Sequence, residues 1–333
     1  MKASTVTVGV VGCGGISAKT HLPVLKAMND VRIGWVTDAQ PSQARRLGRS
    51  FGLSTIDLPT DLAALPEADV VLLAIPYGVR APYYEALAGR RAVAVYVEKP
   101  FARSRGELEA LVARFDPWRI GGGFQRRALA PVWTLREIID TGLFGRLREV
   151  RFGFGKIGAT SGGAHPDIRV SGGGMLFESA IHGIDALLFI TQATSAHVIR
   201  SEMISDGGFD LHTAAEITLM RAGGESVQCS LKVTCLEMVP NGLEFLFDSA
   251  SVALNVFGEG HLTVRPYGGR MAYQLADPHR SHPVLPYETA AENWRVFLGG
   301  FREEKPNWTS ASESLLTAEV IEALYAAQPA VTV

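Results

Sequence analysis

The chain has 333 residues, more than one hydrophobic core usually serves, so two domains are expected. Hydrophobic residues make up 47% and charged residues 20%, the composition of an ordinary globular protein, and the net charge is −2. With no basic block and no Arg/Lys stripe, a nucleic-acid partner and an anionic membrane surface are excluded. The longest apolar runs, residues 70–76 and 186–190, are too short to span a bilayer. The sequence passes from Met1 directly into a strand pattern, and Cys13, Cys229 and Cys235 lack metal-ligand spacing. The expectation is a cytoplasmic protein without a signal peptide, a membrane segment or a metal.

Val6–Val11 is a short run rich in β-branched residues, expected as a buried parallel strand. It ends in Gly12-Cys13-Gly14-Gly15-Ile16-Ser17, and a helical stretch follows to about Met28. Strand, glycine-rich turn and helix make a dinucleotide-binding unit. Gly12 allows the tight turn, and Gly14 with Gly15 lets the backbone approach a pyrophosphate. From Ile16 onward the helix start turns its N–H groups and positive dipole end to the phosphates. Ser17 stands where the fingerprint has a third Gly or Ala. Residues 31–36 read as a second strand with Asp38 at its end, placed to accept hydrogen bonds from the adenosine ribose hydroxyls. A carboxylate there repels a 2′-phosphate, so NAD is the expected cofactor. Arg45 and Arg46 keep NADP open. The plainer reading of Asp38 is a turn residue before the helix that Pro41 starts.

The alternation continues with a strand at 69–75 ending in Pro76-Tyr77-Gly78, a helix at 83–88, and a strand at 92–97 ending in Glu98-Lys99-Pro100. A helix at 107–115 and a strand at 118–122 complete it. This is a doubly wound α/β pattern, and such sheets bind ligands beyond the carboxyl ends of their strands. Pro76, Glu98 and Lys99 therefore join Gly12, Gly14, Gly15, Ile16 and Asp38 as cofactor-site candidates. A surface lysine paired with Glu98 is the plainer reading of Lys99.

The character changes near residues 121–123, which divides the chain into a nucleotide-binding domain, 1–121, and an α+β domain, 122–333. Phe124-Gln125-Arg126-Arg127 leads into a helix at 132–141 closed by Gly142, and a strand follows at 147–154. A long Gly-rich loop, 155–174, carries His165, Asp167 and Arg169. Strands are expected at 197–204, 213–220, 227–234, 243–248, 251–256 and 262–266, and helices at 290–302 and 313–327. Between loop and strands, residues 171–185 run three glycines into an apolar helix. At 100° per residue Glu178, His182 and Asp185 fall on one face, with Phe177, Ile181, Ile184 and Leu188 on the other. A carboxylate one turn before an imidazole can orient it and raise its basicity, so this face can move a proton near neutral pH. Taken alone, the same pattern describes a core helix with a satisfied histidine. Gln125, Arg126, His165 and Arg169 are substrate-binding candidates, solvated loop roles being the even alternative for the last two. Arg127 has a structural reading.

Together, the glycine turn, Glu98-Lys99-Pro100, Arg127 with Pro131, and G-G-G-x-x-x-E-x-x-x-H-x-x-D from Gly172 to Asp185 resemble the glucose–fructose oxidoreductase / inositol dehydrogenase / rhizopine-catabolism (Gfo/Idh/MocA) family over most of the chain. The resemblance implies a Rossmann domain followed by an α+β domain with a large open, mostly antiparallel sheet that forms homodimers or homotetramers. It implies NAD(P)-dependent hydride transfer to or from a carbinol of a sugar, cyclitol or related polyol. By motif position, Lys99 contacts the reacting hydroxyl and His182 is the general acid/base. Glu178 occupies the third catalytic position, where Asp is usual, and Asp185 joins the substrate site. Arg80 stands where many members have His, and Ile75 where many have Thr. The alternatives are a catalytically silent dinucleotide or sugar sensor, and a member that uses transient oxidation to cleave a glycoside.

Overall fold

The computed structural model describes residues 5–158, 167–257, 261–275 and 286–327. They fall into two compact units, the first made of 5–101, 106–125 and 286–313, and the second of the remainder. Residues 286–313, which the sequence alone assigns to the second domain, thus belong to the first unit.

The first unit holds a five-stranded parallel sheet in the order β2 (Val31–Thr37), β1 (Val6–Val11), β3 (Val70–Leu73), β4 (Ala94–Val97), β5 (Ile120–Gly122). Strands β3 and β4 are buried at every residue, as their unbroken apolar runs require when both faces are covered. Helix α1 (Leu22–Ala27) continues a π-helical turn at Ser17–His21. Helix α2 (Pro41–Phe51) opens with Pro41 and ends at Gly52, whose φ of 64° is the left-handed cap that glycine adopts without a Cβ penalty. Helices α3 (Ala81–Ala88) and α4 (Arg105–Val112) follow β3 and β4.

The core of this unit is closed from far along the chain. Helix α8 (Pro286–Glu303) buries Trp294, Phe297 and Leu298 beside Leu22, Val24 and Leu25 of α1. The Trp294 indole stacks on Tyr96 of β4, centroids 3.8 Å apart and planes 11° from parallel. A buried aromatic side chain of this kind contributes about 1.5–3 kcal/mol.

The second unit carries an eight-stranded sheet in the order β13 (Tyr273–Leu275), β12 (Leu262–Pro266), β11 (Ala250–Leu254), β10 (Gly242–Phe247), β6 (Leu147–Gly155), β9 (Ser226–Thr234), β8 (Phe209–Arg221), β7 (Ala193–Asp206). All neighbours are antiparallel except β6 and β9. Burial alternates along β10, as it must when one face is packed and the other is not. Strands β7 and β8 outrun the expected 197–204 and 213–220. Their pairing shifts register at three places, and each shift breaks the two-residue alternation that marks a strand in sequence. Strand β13 is exposed at all three residues and is too short for alternation to announce it.

Helix α5 (Ala130–Thr141), the short α6 (Ile168–Ser171), α7 (Ile181–Thr191) and α9 (Leu315–Ala326) complete the unit. At Gly183 of α7 a Cβ would stand 2.2 Å from the Phe152 ring of β6, so glycine there lets the helix lie on the sheet. Among the described residues, no helix is long and apolar enough to cross a membrane.

Candidate active site

The glycine turn lies at the carboxyl end of β1. Gly12 has φ +100°, and a Cβ on it would stand 2.3 Å from the Ala74 carbonyl oxygen, so this position admits glycine alone. Gly14 and Gly15 are exposed, and a Cβ on either meets nothing within 4 Å. The turn therefore presents bare backbone to open space, which is what a pyrophosphate needs. Ile16 beside them is also exposed. Ser17, the departure from the fingerprint, is fully buried, and its hydroxyl donates to the Gly12 carbonyl at 2.6 Å.

Asp38, just past β2, accepts from the Cys13 amide at 2.7 Å and from the Gln40 amide at 2.8 Å, one on each carboxylate oxygen. Each oxygen keeps a second lone pair for a ribose hydroxyl. Arg45 and Arg46 are exposed on α2. Burial and the adjacent Asp38 push the Cys13 thiol up to about 12, so it serves as packing and not as a nucleophile. An open glycine backbone and a carboxylate with lone pairs to spare are chemically compatible with a dinucleotide's phosphates and ribose. Asp38→Ala is expected to weaken NADH binding by about tenfold or more, roughly 1.4 kcal/mol, and NADPH binding less. Calorimetric titration of both cofactors checks the ratio, and an unchanged NADH affinity would remove Asp38 from the site.

Lys99 follows β4 and is half-buried. Its backbone is clamped from both sides by Arg80, itself 3% exposed. The guanidinium donates to the Glu98 and Pro100 carbonyls, both at 2.5 Å, and through Nε to the Ile75 carbonyl at 2.9 Å. One side chain thereby ties the carboxyl ends of β3 and β4 together. The Lys99–Pro100 peptide is cis. Gly123 lies against the same loop, where a Cβ would come within 3.0 Å of the Lys99 nitrogen. Pro76 is exposed at the end of β3.

Glu98 accepts from His21 Nε2 at 2.8 Å, and Trp294 Nε1 donates to His21 Nδ1 at 3.0 Å. The indole occupies the Nδ1 lone pair, so Nε2 carries the proton that Glu98 receives. Burial alone would push the Glu98 carboxyl up. The hydrogen bond from His21, with the Lys99 and Arg80 cations, outweighs burial and holds it below the usual carboxylate range. Glu98 is thus an oriented anion beside Lys99.

In the second unit, Glu178 and His182 are half-buried, whereas Asp185 is fully buried. The acid–imidazole–acid face expected from 100° spacing does not survive intact. Leu176–Ala180 is a π-helical turn that precedes α7, which alters the angular phase, and α7 is buried on most of its circumference. Both Asp185 oxygens are taken by Arg127, at 2.8 Å from Nε and 2.5 Å from Nη2, and Thr317 Oγ1 donates to the same group at 3.0 Å. Asp185, expected at the substrate, is therefore an internal anchor of α7, and Arg127 has the structural role its position suggested.

Gln125 and Arg126 begin a 3-10 turn, both half-buried. Arg126 Nε is buried with no acceptor among the described residues, and desolvation lowers its pKa. Arg169 lies in α6, and His165 falls outside the described residues. Among the described residues, no cluster of three His, Cys, Asp or Glu side chains could hold a metal.

His21, Trp294 and the clamp by Arg80 were not anticipated. His21 and Trp294 are 273 positions apart, and local patterning carries no trace of such a pair. In sequence, Arg80 stood out only as a departure from the His that many members of the resembled family carry there.

A model of an oxidoreductase family's NAD-binding Rossmann fold matches residues 6–116, and a model of the GFO/IDH/MocA C-terminal domain matches residues 132–253. The D-glucoside 3-dehydrogenase of Escherichia coli (strain K12) is 26% identical over 199 residues, an alignment spanning 57% of this chain and 55% of that protein. The crystal structure of KijD10, a 3-ketoreductase from Actinomadura kijaniata in complex with NADP and TDP-benzene, is 19% identical with a TM-score of 0.82, covering 99% of this chain and 100% of that one. The aldose-aldose oxidoreductase of Caulobacter crescentus, complexed with glycerol, is 16% identical with a TM-score of 0.80, covering 97% of each chain. At these identities the two structures speak for the fold.

Proposed function

The chain belongs to the Gfo/Idh/MocA family of NAD-binding oxidoreductases, and from that premise we propose that it transfers a hydride between a nicotinamide and a carbinol or ketone of a sugar. The observation that carries the reading is the carboxyl edge of the first sheet. An open glycine turn, a ribose-ready carboxylate and a lysine with both flanking carbonyls held in place all lie at ends of its strands. Bound there, NAD(P) supplies the hydride acceptor or donor. NAD is the favoured form, since Asp38 opposes a 2′-phosphate, and NADP is the alternative cofactor.

Lys99 is assigned the developing alkoxide: its ammonium stabilises negative charge on the reacting oxygen. His182 is assigned the hydroxyl proton, with Glu178 one turn earlier to orient the ring. Arg126, a desolvated cation whose Nε lacks an acceptor among the described residues, suits oxygen atoms of a polar substrate, and Gln125 adjoins it in the same turn. The D-glucoside 3-dehydrogenase among its sequence relatives carries position 3 in its name, which supports position 3 of a pyranose as the reacting carbon. The second sheet is proposed as the contact between copies in a dimer or tetramer. One face bears a groove of about 780 Å³ bordered by Arg151, Lys232, Val239 and Arg265, and Leu236 and Met238 are exposed nearby in sequence. Three free buried cysteines accord with a reducing, cytoplasmic setting.

The test is incubation with NAD⁺ or NADP⁺ and a panel of free, alkyl and nucleotide-linked glycosides, reading both reduced cofactor and keto-sugar. Cofactor binding without turnover of any member would replace this reading with a sensor. His182→Asn is expected to lower kcat by about 10²–10⁴-fold while leaving the NADH Kd unchanged. Steady-state kinetics beside a cofactor titration checks it, and a kcat within a few-fold of wild type would remove the imidazole from the proton path.

A further inference from the structure

We propose that Asp210 and Tyr325 are positioning residues that hold the helical start carrying Glu178 and His182 in its working register. This inference rests on the function proposed above for His182. Asp210, at the start of β8, is 1% exposed. Its Oδ1 accepts from the Gly174 amide at 2.9 Å and its Oδ2 from the Leu176 amide at 2.8 Å. These amides lie at the entry to the π-helical turn, where intrahelical acceptors are missing. The Gly174 carbonyl in turn accepts from the Glu178 amide at 2.9 Å. The contact is close enough to dictate the sequence: a Cβ on Gly174 would stand 2.5 Å from the Asp210 backbone.

Tyr325, from α9, grips the same turn twice. Its hydroxyl donates to Asp210 Oδ1, and its ring stacks on Phe177, centroids 5.5 Å apart and planes 18° from parallel. The Arg103 guanidinium lies over the Phe177 ring at 6.0 Å. A π-helical turn is a costly local geometry that persists where its surroundings determine it. Here Asp210 anchors the backbone before the turn, and Phe177 is held within it. Glu178 and His182 follow, so their relative phase depends on that anchor.

The titratable and charged neighbours of Asp210 are Tyr325 on α9, Cys235 after β9, and Arg103, which acts on Tyr325. Burial pushes the Asp210 carboxyl up from 3.8 to about 6, although the bonds from Tyr325, Leu176 and Gly174 oppose this. A folded-state value above the unfolded one means that the folded protein binds this proton more tightly. The group's contribution to stability is therefore full below about 4 and is lost as pH rises through about 6.

Tyr325→Phe keeps the stacked ring and removes one donor to the carboxylate. Asp210→Asn keeps the shape and turns an N–H toward one of the amides. The expected results are a kcat lowered about 3–10-fold in Tyr325→Phe and about 30–100-fold in Asp210→Asn, with the NADH Kd unchanged. Amide hydrogen exchange should quicken at 174–182 while β9 and β10 keep wild-type protection. The acid-side stability slope between about 4 and 6 should flatten in Asp210→Asn. Wild-type exchange at 174–182 in both variants would overturn the proposal. So would loosening spread evenly over the second unit, with kcat falling only as the folded fraction falls. If wild type turns over no sugar, the proposed function fails, and the local exchange pattern still decides whether Asp210 and Tyr325 hold this turn.

Discussion

Lys99→Ala is expected to lower kcat by about 10²–10⁴-fold, the range for removal of a group that stabilises charge or transfers a proton in the transition state. The backbone at this position is held independently of the lysine side chain. Arg80 holds the carbonyls of residues 98 and 100, and Gly123 packs against the Lys99 nitrogen, so the backbone stays put when the side chain is cut back. Glu98 keeps its bond from His21. NADH affinity should remain within about threefold, roughly 0.7 kcal/mol, and the thermal midpoint should be unchanged. Lys99→Arg is not expected to restore the rate, because a planar guanidinium cannot place a compact charge at the same point. Single-turnover kinetics on the cofactor-loaded enzyme separates the chemical step from binding. A variant retaining a tenth or more of the wild-type rate would show that Lys99 is not at the reacting oxygen.

Asp185→Ala or Arg127→Ala should each destabilise the fold by about 3–5 kcal/mol, because either leaves its partner as a buried, uncompensated charge. The pair is bidentate and both members are essentially inaccessible, Asp185 at 0% and Arg127 at 2%. Ser314 accepts from Arg127, Thr317 donates to Asp185, and the guanidinium stands 5.0 Å from the Phe189 ring centroid. Replacing both by apolar residues of similar volume, Arg127→Met with Asp185→Leu, should recover most of the loss, since the cost of breaking such a pair is chiefly the stranded charge. Denaturant unfolding of the singles and the double measures the coupling. Additive losses would mean that the two side chains do not interact as a pair.

The doubly wound half was legible because each of its clues is local. β-branched runs, glycine at the turn and acidic or basic residues at strand ends are all set within a few residues of one another, and a parallel sheet brings those ends to one edge. The partnerships that tune the edge were not legible. Glu98 is oriented through His21 by Trp294, from a helix that the sequence places in the other half of the chain. Nothing in residues 286–303 distinguishes a helix that closes the first core from one that packs on the second. Asp185 was misplaced for a different reason. A 100° projection assumes unbroken α-geometry and a wet side, and residues 176–191 have neither throughout. A charged residue on such a helix can be core when its counter-charge arrives from a segment 58 positions earlier. Register shifts hid the length of β7 and β8 in the same way, by resetting a two-residue pattern that a linear reading takes as continuous.

The most direct test follows the hydride itself. A pyranoside carrying deuterium in place of hydrogen at the reacting carbon, first position 3, is incubated with the protein and oxidised cofactor, and the reduced cofactor is examined by mass spectrometry. Hydride transfer from this carbon puts the deuterium in the reduced nicotinamide and leaves the sugar as the corresponding ketone. Deuterium retained in the sugar, or lost to water while the cofactor stays oxidised, would contradict it.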